Sequence, residues 1–204
     1  MERTALLSPC GKYRYRLGRR WADGPTLLYV MLNPSTADAQ ADDATIRRCI
    51  GFAQAESFGA IEVVNLFAYR TPHPVALKSA GFPAGPHNDG HITAAAKSAG
   101  AICVAWGAQP EALPRIQVVM PLLWPHHEPQ CLAITRSGFP SHPVRLPKTC
   151  RLRPFSLEAI QAAMEGKELP AVATPAPTAA PAPVEQQMEW PFPVSTVYPR
   201  GSTA

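Results

Sequence analysis

The sequence lacks the features by which several classes of protein are recognised. Its five cysteines stand far apart with no C-x-x-C pair, which argues against a disulfide framework and against the usual spacings of zinc and iron–sulfur sites. It has no apolar run approaching about 18 residues and no charged-then-apolar leader, so we expect neither a membrane span nor a signal peptide. We therefore expect a cytoplasmic protein.

Acidic residues are fewer than basic ones, but the imbalance is mild. The chain of 204 residues carries 19 Lys and Arg against 15 Asp and Glu, a net charge of +4. The tail from Pro170 holds only Glu185, Glu189 and Arg200, so the part before it is about +5. A charge of that size permits binding to a polyanion without requiring it.

Composition divides the chain into two parts. From Pro170 the sequence reads PAVATPAPTAAPAP, which cannot build a core and predicts an extended, mostly disordered linker. We therefore predict a folded domain over residues 1–168, long enough for a sizeable core, followed by a Pro/Ala-rich linker and tail over residues 169–204.

Apolar runs alternate with helical patterns along the folded part. Four runs predict strands: residues 26–32, 60–67, 101–107 and 130–135. Helical spacing predicts helices over residues 42–53, 90–98 and 156–164, with a short one through Ala112 that Pro114 limits. Residues 12–17 alternate basic and aromatic side chains, as in an edge strand with a solvated basic face. The fold expected is α/β, a three-layer α/β/α arrangement around a mainly parallel four-stranded sheet.

Polar or aromatic residues follow each of these strands. Asn33, held by Pro34, follows the first; Asn65 ends the second; Trp106-Gly107 ends the third; His142 lies in the loop after the last. The carboxyl ends of parallel strands meet at one edge, where open α/β sheets bind ligands. Amides, a histidine and basic residues gathered there can hydrogen-bond a planar heterocycle and a phosphate backbone.

Four motifs in this order resemble the uracil-DNA glycosylase superfamily: residues 33–35 (NPS), 64–72 (VNLFAYRTP), 104–107 (VAWG) and 142–146 (HPVRL). The first is similar to a water-positioning motif and the last to a His-Pro leucine-loop motif. Residues 12–150 as a whole resemble a small bacterial and phage family catalogued as a domain of unknown function. The resemblance implies a glycosylase-like fold, base excision from DNA, and a role in repair or in defence against phage.

The resemblance also implies roles for individual residues. Asn33 and His142 would be catalytic, the first holding the attacking water and the second donating a hydrogen bond to the base oxygen. Asn65 and Ser35 would bind a deaminated or modified pyrimidine that is flipped out of the DNA. Arg47, Arg70 and Arg145 would contact DNA, and we expect Arg14 and Arg16 beside the same crevice. No metal and no cofactor is implied, and we expect a monomer.

Three features of this chain depart from the superfamily. The most active relatives place an aspartate in the first motif, and Asn33 cannot act as a general base, so water is either merely oriented or is activated by Asp38, Asp42 or Asp43. Val144-Arg145 replaces the Ser-Pro that often follows His-Pro. Cysteines matching the iron–sulfur cluster of the thermostable branch are absent.

Simpler interpretations stay open beside these. Asn65 could satisfy backbone groups, His142 could be an ordinary loop residue, and Trp106-Gly107 could be packing plus a turn rather than a stacking platform. His126-His127-Glu128 invites a metal site, but a solvated loop is favoured. The same pocket could also bind a nucleotide or a modified base without cutting it.

The tail carries one further motif. After the linker, Gln187, Met188, Trp190 and Phe192 follow in an order similar to the peptides with which bacterial repair proteins bind the sliding clamp. The alternative is that the aromatic residues pack on the folded part or have no partner.

Overall fold

The computed structural model describes residues 1–167. The predicted linker and tail, with the clamp-binding motif, lie outside the described residues. Within residues 1–167, no helix is long and apolar enough to cross a membrane.

Within the described residues, seven strands and five α-helices follow one another in a mixed order. The strands are β1 (Glu2–Leu7), β2 (Arg14–Arg20), β3 (Thr26–Met31), β4 (Ala60–Asn65), β5 (Ala101–Val104), β6 (Gln130–Cys131) and β7 (Arg153–Pro154). The helices are α1 (Ala44–Ala55), α2 (Pro74–Ser79), α3 (Asn88–Ser98), α4 (Leu113–Leu123) and α5 (Glu158–Met164), with 3-10 turns at Pro110–Ala112 and Pro143–Arg145.

The strands form one mixed sheet in the order β1-β2-β4-β3-β5-β6-β7. The four predicted strands, β3 to β6, pair in parallel at its centre. Antiparallel strands extend it on both sides, β1 and β2 beside β4, and β7 beside β6. The α/β class is therefore confirmed, whereas a four-stranded, mainly parallel sheet was wrong.

Two local predictions were also wrong. Residues 12–17 were expected at the edge with a solvated basic face, but β1 lies outside β2, and Arg14 and Arg19 on β2 are buried. Pro114 was expected to limit a short helix, but it stands in the first turn of α4. A proline is tolerated there because the first backbone N–H groups of a helix have no intrahelical acceptor.

Helices cover both faces of the sheet. Alternate residues of β3 and β4 point to opposite faces, and both sets are mainly apolar because central parallel strands are buried on both sides; Glu62 and Asn65 of β4 are the polar exceptions. One apolar cluster packs α1 through Ile46, Cys49 and Phe52. The other packs α3 and α4. Asp43 begins α1, its carboxylate accepting from Ile46 N at 2.9 Å, so the amino end of α1 lies where the β3 loop enters it.

Candidate functional site

The connections after β3 and β5 leave the sheet in opposite directions. The chain after β3 enters α1 on one face, whereas the chain after β5 enters α4 on the other. The two strands are neighbours, so their carboxyl ends flank a topological switch point, where open α/β sheets bind ligands. Asn33 follows β3 there, and Gly107 follows β5.

The Asn33 amide is fixed by backbone groups. Its Nδ2 donates to Thr71 O at 2.8 Å and to Pro34 O at 3.1 Å, and Thr71 N donates to Pro34 O at 2.9 Å. These bonds tie the loop after β3 to the segment after β4, with Ser35 half-buried in the first loop. Because both amide hydrogens are used, Oδ1 is the end of Asn33 that can accept a hydrogen bond from a further group.

Asn65 is the last residue of β4 and is 1% exposed. Its backbone carbonyl accepts from Asn88 Nδ2 at 2.8 Å, while its own side-chain Nδ2 is buried with no hydrogen-bond partner. Satisfying backbone groups therefore does not explain the amide hydrogens of Asn65. A buried donor without an acceptor costs about 1–3 kcal/mol, so it calls for an explanation.

Arg14 and Arg70 add two more buried donors to this end of the sheet. The Nε atoms of both are buried without a partner, although Arg14 Nη1 donates to Ala37 O at 2.6 Å. The backbone joins their segments, since Arg14 N donates to Ala68 O and Arg70 N to Lys12 O, both at 2.9 Å. Burial, and then the positive charge of Arg70, lowers the pKa of Arg14 to about 10. Arg14 is therefore still charged at neutral pH.

His142 stands at the start of the 3-10 turn that follows β6. Its Nδ1 accepts a long hydrogen bond from Val144 N, 3.4 Å, which leaves the proton of the neutral ring on Nε2. Burial lowers the pKa of His142, against the Asp43 carboxylate that raises it, and Arg145 lowers it further. The ring is therefore a neutral Nε2–H donor at neutral pH. Gly107 lies beside it, since a Cβ there would be 3.6 Å from His142 Cβ.

These observations define the strand-end site as Arg14, Asn33, Asn65, Arg70 and His142. The Asp43 carboxylate raises the pKa of both Arg14 and His142, and α1 packs against the 3-10 turn that His142 begins. The sequence placed Asn33, Asn65 and His142 at this edge. Arg70 and Arg14 were also expected at or beside this crevice, and the burial of Arg14 overturns only the solvated face expected for residues 12–17.

The carboxylates of Asp38, Asp42 and Asp43 already have hydrogen-bond or ion-pair partners within the protein. Asp38 Oδ1 accepts from Gln40 N and Ala41 N at 2.8 and 2.9 Å, and these backbone bonds lower the pKa of Asp38. Asp42 pairs with Arg19 at 2.6 Å and with Arg3 at 3.3 Å, and Asp43 caps α1. Each of them serves the structure of the loop.

Of the remaining predicted residues, two are exposed and one is held in an ion pair. Arg47 and Arg145 are exposed beside the His142 turn, and Arg47 Nη1 reaches back to Asp42 O at 2.5 Å. Arg16 is committed to Glu62, with its Nη2 2.7 Å from Oε2. Its guanidinium already has a carboxylate partner, which weakens the expectation that it contacts phosphate.

Two alternatives from the sequence are answered by packing. Trp106 is 2% exposed and packs edge-on against Phe155, with ring centroids 5.9 Å apart, so its ring belongs to the core rather than to a stacking platform. Its Nε1 is, however, another buried donor without a partner after β5. The ring of His127 hydrogen-bonds Ala99 O through Nε2 at 2.7 Å. Among residues 1–167, no three His, Cys, Asp or Glu side chains are grouped to hold a metal.

Sequence reasoning missed Asn88. This side chain, in the first turn of α3, holds the backbone carbonyls of Asn65 and Leu66 at 2.8 and 3.1 Å and so fixes the end of β4. Its only signal was a position just before an apolar helical pattern, which also describes many ordinary helix starts.

The fold and the site together define a class: a doubly wound α/β protein with an excess of buried donors at the carboxyl ends of its parallel strands. The chain belongs to the family described as "Protein of unknown function (DUF1643)", which matches residues 14–144. That span includes all five residues of the strand-end site. Searches of curated proteins and of solved structures found no match.

Proposed function

We propose that the protein is a DNA glycosylase that hydrolyses the N-glycosidic bond of a deaminated or modified pyrimidine. The observation that carries the proposal is the set of buried donors without acceptors at one edge: Arg14 Nε, Asn65 Nδ2 and Arg70 Nε. A nucleotide flipped out of DNA supplies acceptors of both required kinds, base carbonyls and phosphate oxygens. In this proposal Asn65 reads the base, with Ser35 beside it, while Arg14 and Arg70 meet phosphate.

The proposed reaction needs one water molecule and no metal. The water attacks the anomeric carbon as the bond to the base breaks, and the electron pair leaves with the base. His142 Nε2–H donates to the base oxygen that gains negative charge, a role suited to a neutral imidazole held by its other nitrogen. Asn33 Oδ1 accepts from the water and orients it. The water's second proton passes to the departing base or to solvent.

One feature favours a second candidate, a protein that binds a nucleotide or a modified base without cutting it. Asn33 has no carboxylate to take a proton from water. Asp38, Asp42 and Asp43 are each committed to backbone groups or arginines. Hydrolysis with an oriented but unactivated water would be slow, and binding alone requires only the donors.

Abasic-site formation separates the two candidates. Duplexes containing uracil, hydroxymethylated or glucosylated bases, or mismatches are incubated with the full chain in EDTA under single-turnover conditions. We expect release of one class of base, loss of release in Asn65→Ala, and in His142→Ala a slower rate with little change in binding. His126→Ala is the matched control, because His126 lies beyond α4 at the other end of the strands. Binding without release across the panel would establish the second candidate.

The tail motif is proposed separately as a peptide that binds the sliding clamp. A fluorescence titration of a peptide spanning residues 184–194 against the clamp tests it. We expect modest affinity, since a short linear peptide loses conformational freedom on binding. Affinity that is unchanged when Gln187 and Phe192 are both replaced by alanine would overturn the motif.

A further inference from the structure

A basic groove runs along the outer surface of α1, beside the turn that follows His142. Its volume is about 420 Å³. It is lined by residues of α1 and by one residue of the loop after the 3-10 turn: Arg47, Arg48, Gly51, Phe52, Ala55 and Lys148. Three of these side chains are cations and none is acidic. The groove therefore suits an anionic ligand.

Arg48 is held in this groove with an unused donor. Its Nη2 donates to Leu146 O, and its guanidinium lies 4.8 Å from the centroid of the Phe52 ring. Its Nε is buried and has no hydrogen-bond partner. A guanidinium fixed in this way is suited to bind phosphate, because its planar geometry is set before the ligand arrives.

Gly51 in the same groove has no structural explanation within the fold. It lies in the middle of α1, where a glycine costs about 1 kcal/mol relative to alanine. A Cβ added there would meet nothing within 4 Å, so packing does not require the glycine. A missing side chain on a helix surface allows another backbone to approach closely.

We infer that this groove binds the phosphodiester backbone of the DNA strand that flanks the nucleotide in the strand-end site. Arg47, Arg48 and Lys148 contact phosphates, and the backbone comes nearest to the helix at Gly51. The identity of the polyanion rests on the proposed function. The position of the groove agrees with DNA as the ligand, because α1 packs against the turn Pro143–Arg145. A DNA strand that passes His142 would therefore enter the groove.

Anisotropy of a labelled, undamaged duplex, measured over a series of salt concentrations, tests the charges. Losing a phosphate contact lowers the salt slope by about 0.9 on duplex DNA. We therefore expect the double variant Arg47→Gln with Lys148→Gln to bind the duplex more weakly. Its salt slope should be smaller by the amount that corresponds to about two phosphate contacts. The matched control is Lys78→Gln with Lys97→Gln, two exposed cations on α2 and α3, which pack on the opposite face of the sheet from α1.

A second pair of variants tests the approach at Gly51 without changing charge. Gly51→Met fills the groove and should weaken duplex binding about tenfold. Gly90→Met, at an exposed glycine of α3 that also has open space around it, should bind as the wild type does. Thermal melting of both variants checks that they fold.

The outcomes separate the groove from the strand-end site. If the groove variants change the salt slope but no substrate shows base release, the glycosylase proposal is overturned and the proposal of a DNA-binding groove stands. If base is released but the groove variants bind the duplex as their controls do, only the proposal of a DNA-binding groove is overturned. Absence of duplex binding by the wild type at low salt, or effects seen only on an RNA duplex, would also overturn the groove as a DNA site.

Discussion

The two ends of the parallel strands differ in how completely their polar groups are hydrogen-bonded. At the amino end, Gly59 N donates to Pro25 O at 3.1 Å and Gly100 N to Thr26 O at 2.9 Å, and Arg20 bridges neighbouring loop groups. At the carboxyl end, Arg14, Asn65 and Arg70 keep buried donors without acceptors. The chain itself completes the hydrogen bonding at the amino end, whereas at the carboxyl end these three donors have no acceptor within the described residues.

The same contrast appears within β2, which carries two buried arginines. Arg19 is 1% exposed and donates to Asp42 Oδ1, Gly18 O and Asp38 O at 2.5–2.7 Å. Arg14 is 3% exposed and donates to Ala37 O, while its Nε has no acceptor. Burial alone therefore does not distinguish an arginine whose donors are matched from one that keeps an unmatched donor; their hydrogen-bond partners do.

The largest expected effect comes from Arg19→Met. Removing one partner of a buried ion pair costs about 3–5 kcal/mol, since Asp42 loses its closer partner and two backbone carbonyls lose a donor. Arg14→Met should cost about 1 kcal/mol or less, because it removes one hydrogen bond and one unmatched buried donor. Urea unfolding followed by tryptophan fluorescence measures both. Equal losses would contradict the contrast between the two arginines.

Gly59→Ala tests the packing at the amino end of the parallel strands directly. A Cβ at Gly59 would lie 2.5 Å from the carbonyl oxygens of Ala22 and Asp23, which are backbone atoms that cannot rotate away. We expect a loss of about 1–3 kcal/mol in the free energy of unfolding, as for an overpacked core. Gly51→Ala, where the added Cβ meets nothing, is the control and should instead gain about 0.5–1 kcal/mol. An unchanged free energy of unfolding in Gly59→Ala would show that the backbone at the amino end can move to accommodate the added Cβ.

Asn88 and Asn65 are both buried amides, each 1% exposed, and they differ at Nδ2. Asn88 Nδ2 has two acceptors and Asn65 Nδ2 has none, while Asn88 Oδ1 is also buried without a partner. Asn88→Leu removes a donor to two carbonyls and should lower the free energy of unfolding by about 1–3 kcal/mol. Asn65→Leu removes an unmatched donor, so stability should be unchanged or slightly higher while base release is lost. Denaturant melts and the release assay together measure the difference. A strongly destabilised Asn65→Leu would indicate a structural role.

The smallest effect concerns pH. Burial lowers the pKa of His142 below its ordinary value of 6.5, so as the pH falls the unfolded chain binds a proton before the folded one does. The contribution to stability is therefore complete above about pH 6.5 and is lost as the pH falls through the folded pKa. His142→Gln should flatten part of this slope. His91, whose pKa is also lowered chiefly by burial, should contribute separately in His91→Gln. Unchanged slopes in stability-against-pH curves would contradict both.

The central elements could be predicted because their signals are local. The apolar runs of β3, β4 and β5 and the helical spacing of Ile46, Cys49 and Ala53 in α1 were visible along the chain. The outer strands were not. β1 is defined by its pairing with β2, and β7 by two residues beside β6, so their evidence lies in distant partners. Pro114 was misread because the same residue can end one helix or begin another.

The sequence by itself determined the α/β class and placed Asn33, Asn65 and His142 after their strands, because strand ends are set by neighbouring residues. Only the tertiary structure decided which polar groups are paired. It joined Arg16 to Glu62 and Arg19 to Asp42, and it left Arg14, Asn65 and Arg70 with unmatched donors. The reason is physical: a buried charge is stabilised by groups far away in the chain, and no local pattern records which groups those will be.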